Sequence, residues 1–504
     1  MCILENRRPS GLLGSNPSSS VFIMITILDC YTDEASGLGV PPYLGTYPRY
    51  IAGKLDKPIY ITIDDLRFYK KRKQEKRTKL SQKTDIGIYN LTINANNIET
   101  ILKKTTCLIV ILGVHVPGKY LSAYPGTLKE IIPLIKDLKC EKILTGPAVL
   151  GTQLFGGKSS EKLEQGIFDR IDYSLFNMPY SEVKQLAVKG ASILKQIPDT
   201  RMIEIETGKG CDIGRCSFCT EPLKNKVTFR DKEDILEEIK AFYDLGARHF
   251  RLGKQTCFYT YPDAITLLQE IRELPDIKTL HIDNVNPVKV VQDREHKITK
   301  AVVQYCTPGN IAAFGVESFD LNVVRENTLN THPKIAYEAI KILNKYGSER
   351  GSNGMPKFLP GINIIFGLRG ETKQTHEENM KWLKKIYDDG LLLRRINIRQ
   401  VALFPGTKLY EEKGSTIKKN KKYYWKWRND IRQEIDWPML KRVIPSGTIL
   451  KDCHSEIYDG KTTFLRQFGT YPLIVGVKER VPLKEFYDVE ITGHMLRSLT
   501  GKIK

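Results

Sequence analysis

Residues 206–222 read E-T-G-K-G-C-D-I-G-R-C-S-F-C-T-E-P, and three cysteines, Cys211, Cys216 and Cys219, fall close together within that stretch. Gly210 and Gly214 loosen the backbone around them, so three sulfurs can turn inward onto one point. Three clustered thiolates suit an iron–sulfur cluster with one iron left for a ligand other than protein. Phe218, just before the last cysteine, could cover the cluster or a bound ligand. A structural zinc site is the plainer alternative, but zinc asks for a fourth protein ligand, commonly a second Cys pair or a His pair a dozen or so residues on. The next His and Cys, His249 and Cys257, stand alone, and an odd local count disfavours a disulfide.

Outward from this stretch, residues 196–410 alternate short apolar runs with amphipathic ones. Strands are predicted at 202–206, 249–253, 279–283, 311–316, 360–366 and 396–402, with helices such as 232–245 between them. Residues 25–195 carry a second alternating unit, with strands at 25–30, 59–63, 107–114 and 142–146 and a helix at 127–138. That alternation predicts a doubly wound parallel sheet with any ligand at the carboxyl ends of its strands. From 446 to 504 the pattern turns to closely spaced strands at 463–468, 471–477, 486–493 and 498–503, which predicts a small β-barrel.

Between these units, 411–445 read as a helical connector. Its segment K-K-N-K-K-Y-Y-W-K-W-R (418–428) interleaves lysines with aromatics, a pattern that fits phosphate contact plus base stacking and equally an amphipathic helix packed on the barrel. Lys421, Lys422, Tyr424 and Trp425 are the candidate RNA contacts there. The charge run 67–79 lacks such spacing and reads as a solvated loop or helix. Residues 1–24 are Ser-, Pro- and Gly-rich with no signal-peptide core, so they read as a disordered tail or a start codon assigned ahead of Met24.

Over 504 residues, 78 Lys and Arg stand against 58 Asp and Glu, a net charge of +20 that favours polyanion partners. No apolar run approaches the roughly 20 residues of a membrane span. The ten cysteines show no paired spacing, as in a reducing cytoplasm.

The central region resembles the radical SAM superfamily, in which a three-cysteine loop after the first barrel strand holds a [4Fe-4S] cluster. The usual spacing there is C-x3-C-x2-C, and this chain reads C-x4-C-x2-C. Three later segments match in order. I-A-A-F-G-V-E-S-F-D (311–320) resembles the strand end whose Glu, here Glu317, contacts S-adenosylmethionine, with Ser318 beside it. G-I-N-I-I-F-G-L-R-G-E-T (361–372) resembles the strand and turn under the adenine, shaped here by Gly367, Gly370 and Glu371. R-Q-V-A-L-F-P-G-T-K-L-Y (399–410) resembles the sixth strand and its exit. Where many members carry G-G-E at the second strand end, this chain has Leu252, Gly253, Lys254 and Gln255, which puts the contact to the methionine amino group in doubt.

The resemblance implies a partial (β/α)6 barrel and a 5′-deoxyadenosyl radical that takes a hydrogen atom from a substrate, fed by an external electron donor. P-P-Y-L-G-T-Y-P-R-Y-I-A-G (41–53) resembles radical SAM proteins with an N-terminal cobalamin-binding domain. Such domains often place a His under the cobalt. The nearest match, 113–118 with His115, lacks the preceding Asp, so His115 reads as a loop or substrate-facing residue and cobalamin as a secondary expectation. The C-terminal segment resembles a TRAM domain, the small RNA-binding barrel of methylthiotransferases, with Arg466 and Arg497 as candidate RNA contacts. Methylthiotransferases also hold a second cluster on three N-terminal cysteines. Cys30, Cys107 and Cys140 occupy different strand ends here, so they are expected not to converge. The leading expectation is an RNA-modifying radical enzyme, with tRNA among the candidate substrates and methyl or methylthio transfer as the chemistry. Radical chemistry on a protein or small molecule is the alternative, and a metal-anchored RNA-binding protein is a third.

Overall fold

This computed structural model describes residues 23–31, 43–73, 90–113, 125–150, 166–175 and 177–504. His115 and most of the cobalamin-like 113–118 motif lie outside them, as do residues 1–22 and the first two residues of the 41–53 motif.

Five strands, β1 (Ile25–Asp29), β2 (Ile59–Thr62), β3 (Cys107–Ile111), β4 (Glu141–Thr145) and β5 (Arg170–Ile171), form a parallel sheet in the order β2-β1-β3-β4-β5. Ile27, Ile109 and Ile143 join one apolar cluster and Leu28, Val110 and Leu144 another, so the central strands are covered on both faces. That double burial is why they read as unbroken apolar runs. The strand order reverses beside β1, which is the doubly wound arrangement. In the 67–79 run, Arg67 is no solvated residue: it is buried and pairs with Asp64 at 2.9 Å and Glu130 at 2.7 Å.

Helix Thr46–Gly53, between β1 and β2, and helix Tyr180–Gly190, which leads to the next unit, cross at close range. A Cβ on Gly53 would lie 2.2 Å from the Leu186 carbonyl oxygen, and one on Gly190 would lie 1.9 Å from that of Arg49, so only glycine permits the crossing. Arg49, fully buried, then meets Glu238 of helix Lys232–Asp244, which Arg230 also contacts.

The second unit holds β6 (Met202–Glu206), β7 (His249–Gly253), β8 (Thr279–Ile282), β9 (Asn310–Glu317), β10 (Phe358–Phe366) and β11 (Arg395–Gln400). Neighbouring strands pair in parallel, and β8 runs past Asp283 into Asn284–Val285, which carries the pairing over to β9. The result is an open six-strand barrel with helices outside. One strand was not legible in the sequence: Tyr43–Leu44 adds in parallel to the free edge of β6. Two residues give no periodic signal.

Helix Ile417–Ile431, a π-helical turn at Arg432–Asp436 and helix Trp437–Val443 cover the other edge, where Arg432 Nη1 donates to the Ile396 carbonyl of β11 at 2.7 Å. Tyr424 and Trp427 point inward and lie 6.0 and 5.4 Å from the Phe366 ring. Tyr424 is therefore a packing residue and not an RNA contact. Lys421, Lys422 and Trp425 remain exposed, with Arg428 over the Trp425 ring at 5.2 Å.

The C-terminal unit is a closed barrel of β12 (Ile449–Asp459), β13 (Thr462–Gln467), β14 (Val475–Val477), β15 (Phe486–His494) and β16 (Leu499–Ile503). β12, the longest, escaped the sequence reading because a bulge with Asp452 at φ 53° breaks its alternation between Leu450 and Cys453. Arg466 is 2% exposed and its Nε donates to Glu456 at 2.6 Å, so its guanidinium belongs to the barrel wall and cannot contact RNA. Arg497 is half-buried near the β15–β16 turn.

The loop after β13 closes the lower end of the partial barrel. Phe468 stacks on His249 at 4.3 Å, Thr470 N donates to His281 Nδ1 at 2.9 Å, and the Tyr471 hydroxyl lies 3.5 Å from Asp283 Oδ1.

Candidate active site

Past Glu206, a short antiparallel pairing of Gly208–Lys209 with Thr228–Phe229 pinches off the loop that carries the three cysteines. Gly210 turns this loop at φ 88°, and a Cβ there would lie 2.6 Å from the Lys226 backbone. Glu221 Oε1 braces it by accepting from Gly210 N and Asn225 Nδ2, each at 2.9 Å. Gly214 N reaches Cys211 Sγ and Glu221 N reaches Cys219 Sγ, both at 3.4 Å, while Cys216 Sγ lies 3.3 Å from Asn330 Oδ1. All three are half-buried free thiols. Burial pushes the Cys216 thiol up to about 12 and that of Cys219 up to about 11, with repulsion between the sulfurs adding to both. Such thiols become thiolates only against a strong positive charge, which a bound metal centre provides.

Among the described residues, no group of three or more His, Cys, Asp or Glu side chains is drawn close enough to share one metal ion.

Asn327, absent from every sequence motif, fastens this loop to the rest of the mouth. Its fully buried amide accepts from Ser217 Oγ at 2.8 Å and Arg369 N at 3.2 Å, and donates to the Arg369 carbonyl at 2.9 Å. Leu409 N, beyond β11, donates to the Ser217 carbonyl at 2.8 Å. Thr256 Oγ1, just past β7, donates to the Gly210 carbonyl at 2.8 Å. Four strand ends are thus tied to one loop. Phe218 and Cys216 pack against the apolar group of Val323, Leu368 and Leu409 beside it.

Several buried polar groups at these strand ends have no hydrogen-bond partner among the described residues: both amide atoms of Gln255, Thr207 Oγ1 and Glu317 Oε2. Glu317 sits at φ 63°, and burial pushes its carboxyl up to about 8 against the pull of the Arg399 guanidinium. These orphaned atoms fit a polar cosubstrate that supplies the missing partners. Gly253 leaves the space that Glu204 fills, since a Cβ there would lie 2.8 Å from Glu204 Oε1. Ser318 turns away, its hydroxyl accepting from Asp320 N at 3.1 Å. Gly367 (φ 99°) and Gly370 (φ 76°) form the turn after β10. Glu371 holds that turn by accepting from Gly367 N at 2.7 Å and Asn420 Nδ2 at 2.8 Å, so it shapes the site and does not face a ligand.

Residues 205–383, which span the cysteine loop and the strand ends through β10, match the family model of the radical SAM superfamily. The chain belongs to the radical SAM superfamily. It is similar to an uncharacterized protein of Methanocaldococcus jannaschii, 40% identical over 95% of this chain and 92% of that one. It is also similar to the ribosomal protein uS12 methylthiotransferase RimO of Carboxydothermus hydrogenoformans, 24% identical over 78% of this chain and 90% of that one. Among solved structures, the radical S-adenosylmethionine methyltransferase TsrM of Kitasatospora setae aligns with a TM-score of 0.45 at 10% identity, over 77% of this chain and 75% of that one. As a superfamily member the protein is an enzyme whose cofactors are a [4Fe-4S] cluster and S-adenosylmethionine.

Proposed function

We propose that this enzyme modifies RNA by radical transfer of a one-carbon or sulfur-bearing group, with Cys211, Cys216 and Cys219 anchoring the cluster. When bound, the cluster and cosubstrate supply the 5′-deoxyadenosyl radical that takes a hydrogen atom from the substrate. The chain's own contribution is placement. Gln255, Thr207 and Glu317 offer their orphaned polar atoms to the cosubstrate, and Phe218 walls the cluster side. The turn at Gly367 and Gly370, held by Glu371, would form the adenine side of the site when the cosubstrate is bound. The lower end closed by Phe468 and Tyr471 keeps water from entering below.

The single observation that carries the RNA reading is the exposed basic face of helix Ile417–Ile431. Lys418, Lys419, Lys421, Lys422 and Lys426 surround Trp425, which is 68% exposed. Large exposed aromatics amid lysines fit a single-stranded nucleic acid. Arg497 of the TRAM-like barrel would extend that contact. A protein substrate is the second reading, favoured by the relative whose name gives a ribosomal protein as its target.

Methyl transfer is favoured over methylthio transfer. Cys30 follows the carboxyl end of β1, whereas Cys107 pairs with Ile25 at the opposite end, so those thiols cannot share a cluster. We place the reaction in the cytoplasm, where an electron donor is at hand; no helix among the described residues is long and apolar enough to cross a membrane. The loops that follow β1, β3 and β4 include residues outside the described set, and no step is assigned to cobalamin. The test is to reconstitute the protein without oxygen, reduce it and measure 5′-deoxyadenosine. Formation that is lost in Cys216→Ala supports the assignment; a protein that holds zinc and forms none contradicts it.

A further inference from the structure

We propose that Arg395, held in place by Tyr471 of the C-terminal barrel, reads the paired acceptors of a guanine base inside the partial barrel. This rests on the RNA reading and names the base.

Along β11, Ile396 and Ile398 are buried in the main core, so Arg395, Asn397 and Arg399 alternate to the opposite, barrel-facing side. These three stay half-exposed within a wall of protein, as do Asn363 and Ile365 on β10 and Gly315 on β9, which marks a hollow chamber. Small facing positions leave room for the Arg395 side chain. Gly361 pairs with Arg395, and a Cβ there would lie 2.9 Å from Arg395 Cγ; Ala313 follows on β9.

Most polar groups around Arg395 are matched to one another, while Arg251 Nε and Nη1 have no hydrogen-bond partner among the described residues. Arg251 pairs with Asp283, and the Tyr43 hydroxyl donates to Glu204. Arg399 donates from Nε to the Asn397 amide oxygen at 2.7 Å in the orientation that satisfies both. Among the described residues no carboxylate lies within ion-pair distance of Arg395; its guanidinium instead stacks on the Tyr471 ring, 3.7 Å from the centroid. Tyr471 is set there by a left-handed backbone at φ 54°, with its carbonyl accepting from Arg394 Nη2 at 3.0 Å. A strained residue that fixes another side chain marks a functional position. The stacked guanidinium is rigid, and its in-plane N–H groups form a fork that suits two adjacent acceptors. Guanine O6 and N7 are such a pair, whereas adenine presents a donor at the same place. Among the described residues the lower end is closed, so a base would reach Arg395 from the mouth, as a nucleotide turned out of its strand does.

Equilibrium dialysis of the full-length protein with guanosine, inosine, 7-deazaguanosine and adenosine tests this directly. Guanosine and inosine, which share O6 and N7, should bind roughly five- to a hundredfold tighter than adenosine, with 7-deazaguanosine between. Arg395→Gln and Arg395→Lys should both lose the preference, the second because a lysine keeps the charge but not the fork. Tyr471→Phe, which keeps the ring, should retain it, and Tyr471→Leu should not. Thermal unfolding of each variant separates lost binding from lost fold. Equal binding of guanosine and adenosine, or competition by inorganic phosphate in place of base preference, overturns the guanine assignment. RNA retention on the intact protein is measured beside it: RNA that binds without base preference sinks this inference alone, and RNA that does not bind sinks the reading beneath it.

Discussion

The Ser217 hydroxyl donates to the Asn327 side-chain oxygen at 2.8 Å, and through that one amide the cysteine loop is joined to the turn after β10. Ser217 lies between Cys216 and Cys219, while Asn327 follows the β9 strand end by ten positions. The cysteine loop and the turn after β10 are therefore braced against each other.

Asn327→Ala leaves the Ser217 hydroxyl and the Arg369 backbone without partners in a buried place, at about 1–3 kcal/mol for each group stranded. Thermal unfolding should show a clear loss of stability, and reconstituted protein should hold less iron than wild type. Ser217→Ala removes only one of these bonds and should sit between the two.

Glu238 is fully buried between Arg49 and Arg230, which joins the N-terminal helix to the barrel. Burial pushes its carboxyl up, and the two guanidiniums together pull it further down, to a net position below the ordinary carboxylate range. A lowered folded value means that the pair stabilises the fold above the unfolded carboxyl's pKa, about 4.3, and loses that contribution as pH falls through the folded value. Glu238→Gln should cost about 3–5 kcal/mol at neutral pH, because it strands two buried cations. Urea unfolding across pH 3 to 7, a range about the carboxylate pKa, should show that the gap between variant and wild type narrows toward the acid end.

Lys421→Glu with Lys422→Glu should weaken RNA binding and lower the salt slope by about two charges, with little change in stability, since both are exposed. Trp425→Ala should weaken binding by roughly 1–3 kcal/mol if a base stacks there. Tyr424→Ala and Arg466→Ala should do the reverse: they unfold the protein at lower temperature, because one leaves a core cavity and the other strands Glu456. Filter binding at two salt concentrations, with thermal unfolding beside it, separates the two groups.

The barrel strands were legible because most carry apolar residues, several of them β-branched, between turn residues, and the cysteine spacing marked the loop beside the first of them. Three features were hidden for physical reasons. Tyr43–Leu44 is too short to carry a period. β12 is interrupted by its bulge at Asp452. The contact of Tyr471 with Asp283 joins residues 188 positions apart, which no local pattern can announce. The connector's aromatics showed the opposite failure: Tyr424 and Trp425 are adjacent in sequence, yet helical geometry sends one into the core and the other into solvent.

RNA is the proposed substrate of this radical SAM enzyme. The most direct measurement incubates the reduced, reconstituted enzyme with S-adenosylmethionine and unmodified transfer RNA, then digests the RNA and weighs its nucleosides. A nucleoside heavier by a methyl or methylthio group, absent with Cys216→Ala, is the predicted result. RNA that returns unaltered while 5′-deoxyadenosine accumulates would contradict it and point to a protein or small-molecule substrate.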